Sequence, residues 1–137
     1  MPLTPEQRAF LEDKHFAVLG TTNTSGSPHL TIMWYLLDGD EILFNTAAGR
    51  AKERNLEHDP RVSLLVYADN GYAYMRVDGS VRIITDHQTT QRDIRRLALR
   101  YYADEARVER SVRESFGKQK RISYRLPTTK VYDYRDR

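Results

Sequence analysis

Between residues 16 and 85 the chain offers six strand-length segments but only one substantial helix, and tight turns join most of the strands. A doubly wound parallel sheet needs a long crossover between successive strands, which these turns cannot supply. The pattern therefore favours an antiparallel sheet curled into a barrel. The expected strands are 16–22, 29–37, 41–45, 62–68, 72–77 and 80–85. Turn-forming clusters separate them: Asn23-Thr24-Ser25-Gly26-Ser27-Pro28, Asp38-Gly39-Asp40 and Asp69-Asn70-Gly71, with a bend or bulge at Asp78-Gly79. In strand 29–37, alternation puts Leu30, Ile32, Trp34 and Leu36 on one face and His29, Thr31, Met33 and Tyr35 on the other.

Outside this block the period changes. Thr4-Pro5-Glu6-Gln7 reads as a helix start, with Thr4 capping, Pro5 in the first helical position and Gln7 completing a capping box. From Thr89 onward, Ile94, Leu97, Ala98 and Tyr101, and then Val108, Val112 and Phe116, mark two amphipathic helices broken near Ala103-Asp104. Segments 121–126 and 130–134 read as two short strands around Pro127. No internal repeat or linker divides the 137 residues, so residues 1–137 are expected to form a single domain.

Composition narrows the chemistry. Charged residues make up 30% and apolar residues 39%, the balance of a globular protein, and no apolar run is long enough to span a membrane. The stretch MPLTPEQRAFLEDKH has no basic start followed by an apolar core, and there is no cysteine, so a cytoplasmic protein is expected. Without cysteine there is no thiolate nucleophile, and His15, His29, His58 and His87 show no metal-ligand spacing. Hydrolase and nucleotide-loop motifs are absent. Arg92, Arg95, Arg96 and Arg100 form a positive run, but interspersed Asp93, Asp104, Glu105, Glu109 and Glu114 make it read as an ordinary solvated helix face. No nucleic-acid-binding motif accompanies it.

One stretch does suggest a site: Phe44 to Leu56, FNTAAGRAKERNL. A strand end passes through small residues into a helix whose start carries Arg50, Lys52 and Arg54, so backbone amides, helix dipole and cations converge. That is chemistry suited to an anion, and a solvated basic helix is the plain alternative. The net charge of +3 and pI near 9.2 agree with an anionic ligand without choosing one. Tyr72 and Tyr74, two apart in an expected strand, share a face and could wall a planar ring.

Four stretches carry a family resemblance: S-G-S-P-H at 25–29, F-N-T-A-A-G-R-A-K-E-R-N-L at 44–56, D-P-R-V-S-L-L-V at 59–66, and N-G-Y-A-Y at 70–74 followed by V-D-G. In this order and spacing the chain resembles the pyridoxamine 5'-phosphate oxidase-like split-barrel flavoproteins, and among them most the branch that uses the deazaflavin coenzyme F420. The resemblance implies a mainly β fold, a six-stranded antiparallel split barrel of the FMN-binding type with peripheral helices. It implies a homodimer with cofactor sites between the subunits. Arg50 and Lys52 would then bind the cofactor phosphate, assisted by the Ala51 amide and the Asn55 side chain. Thr46 and Asn45 would approach the ribityl chain, and His29 and Thr31 would line the ring's polar edge. Tyr72 and Tyr74 would reach the ring or tail from the other subunit.

The implied activity is hydride transfer between reduced F420 and an unsaturated or quinone-like small molecule, with no residue named as catalytic because the ring carries the chemistry. An FMN-dependent oxidoreductase of the same fold is one alternative. A non-catalytic carrier of a flavin, deazaflavin or haem-like ring is another.

Overall fold

The computed structural model describes residues 2–135, which form nine strands in two antiparallel sheets together with four α-helices. In chain order these are α1 (Pro5–Glu12), β1 (Phe16–Thr22), β2 (Pro28–Met33), β3 (Leu36–Asp38), β4 (Glu41–Ala47), α2 (Ala51–His58), β5 (Arg61–Tyr67), β6 (Tyr74–Ser80), β7 (Arg82–Ile84), α3 (His87–Tyr102), α4 (Glu105–Glu114), β8 (Arg121–Pro127) and β9 (Lys130–Asp133). One sheet runs β2-β1-β5-β6-β9 and the other β3-β4-β8-β7. Leu19, Leu64 and Val77 from the first meet Phe44, Tyr124 and Leu126 from the second in one buried cluster, the interior of a split barrel. Close approach of the sheets explains Gly79: a Cβ there would lie 3.1 Å from Leu126 Cδ1.

The first helix begins as its residues dictate. Gln7 N donates to Thr4 Oγ1 at 3.1 Å while Thr4 N donates to Gln7 Oε1 at 3.0 Å, closing the capping box. The break between the later helices is also where the periodicity puts it. Ala103 adopts the left-handed conformation with φ 53° and ends α3, and Asp104 then caps α4 by accepting from Ala106 N and Arg107 N.

Three points differ from the sequence reading or were left open by it. The segment 29–37 is not one strand: β2 stops at Met33 and β3 starts at Leu36 in the other sheet. The cause is Tyr35, fully buried, whose hydroxyl donates to Leu11 O at 2.9 Å and whose backbone N–H donates to the Tyr101 hydroxyl at 3.3 Å. That amide is claimed by helix α3, and the chain changes sheet. Second, the apolar face of β2 points outward. Met33 and Thr31 lie opposite Ala17 and Leu19, both fully buried, so the His29, Thr31, Met33 face is the inner one, and Leu30 and Ile32 are 67% and 65% exposed.

Third, the strand count is nine rather than six, because 29–37 divides and both C-terminal strands join the sheets. The expected 72–77 strand starts at Tyr74, and the expected 80–85 strand starts at Arg82. Ser80 still belongs to β6, and the chain turns the corner at buried Val81, whose N–H donates to Pro60 O at 2.9 Å.

Candidate functional site

Strand β4 delivers the site. Phe44 lies opposite Tyr124 and Thr46 opposite Ile122 in the barrel interior, so the alternate residue Asn45 faces outward beneath α3. The chain then turns through Gly49, at φ 92°, a conformation that glycine adopts without a Cβ penalty. Ala48 N donates to Lys120 O at 2.8 Å, and Ala47 lies opposite Arg121, so the loop before α2 is fastened to the start of β8. Arg50 is the N-cap of α2 and has no side-chain acceptor to give its first-turn amides. Arg54 folds back instead, donating from Nη1 to Gly49 O at 2.8 Å.

Arg50, Lys52, Asn45 and Arg121 line a cavity of about 240 Å³. The rest of its lining is apolar and aromatic: Met33, Trp34, Ile94, Leu97, Tyr102 and Phe116, with the exposed Ile32. Trp34 is held by stacking on Tyr101 at 5.3 Å and by an edge contact with Tyr102 at 5.0 Å. Among the described residues no carboxylate pairs with Arg50, Lys52 or Arg121. The electrostatic result is visible in the proton affinities. Burial, and then the neighbouring Arg50 and Arg121 charges, push Lys52 below the ordinary lysine range. Burial and Arg50 push Arg121 down to about 10. A cluster of cations walled by aromatics and free of carboxylates is fitted to a phosphate ester carrying a flat ring.

A larger cavity of about 480 Å³ lies over Gly20 on the outer face of the first sheet. Its single arginine, Arg61, is already paired with Asp59 at 2.8 Å, so it lacks the free positive charge of the smaller one. Among the described residues no cluster of three or more His, Asp or Glu side chains is placed to hold a metal ion.

The residues expected at the site are thus distributed. Arg50, Lys52 and Asn45 meet in the cavity, with Ala51 opening the helix beside them. Asn55 is buried on α2, where its amide donates to Thr21 Oγ1 at 3.1 Å and Asn23 Oδ1 at 3.0 Å and ties the helix to β1. His29, Thr31 and Thr46 face the barrel interior, and His29 Nδ1, Thr31 Oγ1 and Thr46 Oγ1 are buried without hydrogen-bond partners among the described residues. Tyr72 and Tyr74 do not share a strand face: Tyr72 sits in the turn, 76% exposed, and Tyr74 begins β6 and stacks on Tyr134. The sequence reading missed Arg121, Trp34, Tyr102 and Phe116 as cavity residues. Each comes from a different element, and only the β4–β8 register reveals Arg121.

Several solved structures share this fold. An F420 reductase, 24% identical, matches over 95% of this chain and 98% of its own with a TM-score of 0.74. A conserved hypothetical protein from Mycobacterium tuberculosis, 26% identical, matches over 100% and 87% with a TM-score of 0.79. The heme storage protein HutZ from Vibrio cholerae, 17% identical, matches over 97% and 95% with a TM-score of 0.71. The family model described as pyridoxamine 5'-phosphate oxidase matches residues 3–134. With a split barrel and nearly the whole chain matched, the protein belongs to the pyridoxamine 5'-phosphate oxidase family.

Proposed function

We propose that the protein is an oxidoreductase that uses the deazaflavin coenzyme F420, with the cofactor phosphate held at Arg50 and Lys52. The observation that carries this reading is the carboxylate-free group of Arg50, Lys52 and Arg121 in one cavity with the aromatic Trp34, Tyr102 and Phe116. The chemistry a reduced deazaflavin supplies is hydride transfer to an unsaturated or quinone-like acceptor. The chain's own part is binding and orientation. Arg50 and Lys52 neutralise the phosphate, the Ala51 amide adds the positive end of α2, and the apolar wall keeps water from the bound face. Likeness in fold to an F420 reductase supports the choice of ring.

A second copy of the chain completes the site in this reading, because Ile32 belongs both to the cavity lining and to the exposed apolar face of β2. FMN is the competing ring, since the same cations would serve its phosphate. Titration of the ligand-free protein with F420 and with FMN separates them. Saturable F420 binding at lower concentration than FMN is expected, and tight FMN binding without F420 binding rejects the deazaflavin assignment. Consumption of reduced F420 across a panel of enone and quinone acceptors distinguishes an enzyme from a carrier.

A further inference from the structure

We propose that Arg121 is a third residue that contacts the ligand's phosphate, acting from β8 alongside Arg50 and Lys52, and that Asn45 aims it rather than touching the ligand. This rests on the reading that the cavity takes a phosphate ester. Two arginines on the same face of β8 make the comparison within one strand. Arg125 is satisfied by carboxylates, with Nη2 2.9 Å from Asp38 and Nε 2.9 Å from Glu41. Arg121 is more deeply buried, 5% exposed, yet has none. Its Nε donates to Asn45 Oδ1 at 2.8 Å and its Nη1 to Gln119 Oε1 at 2.6 Å, both neutral acceptors.

Its Nη2 donates to no group among the described residues, and the side chain borders the cavity with Cζ 5.3 Å from the centre of the Phe116 ring. Burying a guanidinium with only neutral partners is costly unless an anion completes it. Arg125 has the surroundings of a structural arginine, and Arg121 those of one awaiting a ligand.

The hydrogen bonds behind Arg121 fix its direction. Ser123 Oγ donates to Oδ2 of the fully buried Asp93 at 2.8 Å and has its lone pairs left for Asn45. Asn45 Nδ2 then donates to Ser123 Oγ at 3.0 Å and to Thr90 O at 3.1 Å. With the amide nitrogen committed, Asn45 Oδ1 is turned to Arg121 and holds the guanidinium by one edge. Gln119 takes Nη1, and Nη2 is left for the ligand.

The test measures binding of pyrophosphate, FMN and F420 to the full chain by calorimetry, using wild type, Arg121→Gln, Asn45→Ala and the double variant. Arg121→Gln is expected to weaken every ligand that wild type binds by at least tenfold, and Asn45→Ala by a smaller factor. The double variant should be no weaker than Arg121→Gln alone, since Asn45 acts through Arg121, whereas a merely structural Asn45 would add its own loss. If Arg121→Gln does not fold, Arg121→Lys keeps the charge without the planar fork and should still bind several-fold more weakly. Binding within twofold of wild type in the folded Arg121 variant overturns the proposal, as does a wild type that binds none of the three ligands. Pyrophosphate binding that depends on Arg121, without binding of either flavin, upholds this proposal and rejects the flavin reading.

Discussion

Arg50 and Lys52 sit three bonds of logic apart from an ordinary surface pair: they open a helix, face a third cation and lack a counter-charge. Charge-assisted hydrogen bonds to a phosphate contribute about 1.5–3 kcal/mol each, so Arg50→Ala with Lys52→Ala should weaken cofactor binding by at least tenfold. Equilibrium titration reads this directly, and unchanged affinity in a folded double variant would remove the phosphate from this place. These two residues were legible in the sequence because their meaning is local, a matter of a few positions around a helix start. Arg121 was not, because its meaning depends on lying opposite Ala47 in β8. No spacing within residues 121–126 distinguishes it from Arg125, which is a structural arginine on the same face.

At the scale of elements, the 3-10 turn Phe116–Lys118 positions the Phe116 wall of the cavity. A Cβ on Gly117 would meet Val112 O at 2.6 Å, and this is backbone that cannot swing away. Gly117→Ala should therefore destabilise the protein by about 1–3 kcal/mol, the range for overpacking, and move Phe116 away from the ligand. Denaturant unfolding and a parallel binding titration check both effects; unchanged stability would mean that the α4 end yields easily. Strand β1, the capping box of α1 and the break between α3 and α4 were all legible, since each is written in neighbouring residues. The face of β2 was not. Alternation identifies two faces but cannot say which one is covered, and here the outer face carries Leu30 and Ile32.

For the whole molecule, that outer face is the largest departure from an ordinary solvated sheet, with Phe16 46% exposed beside the two more exposed residues of β2. The proposed homodimer would give it a partner. Because Ile32 also lines the cavity, Ile32→Glu should lower the solution mass towards that of one chain and weaken cofactor binding together. Light scattering and titration measure the two outcomes, and a wild type that is already monomeric at working concentration would refute the pairing. An antiparallel barrel was legible from tight turns and strand lengths, and its split-barrel class from the family resemblance. How the strands divide between two sheets was not, since it follows from Tyr35 bonding to α1 and α3.

The strand order also governs when the protein can come into being. β8, among the last segments of the chain, is an interior strand of its sheet, lying between β4 and β7, and β9 closes the edge of the other sheet beside β6. On the ribosome, neither sheet can be completed until nearly the whole chain has emerged, and β4 must wait without its neighbour. Such late, long-range pairing makes for slow folding and leaves apolar strands open in the interval. Arg121, on the strand that completes the second sheet, would be among the final pieces of the cavity to arrive.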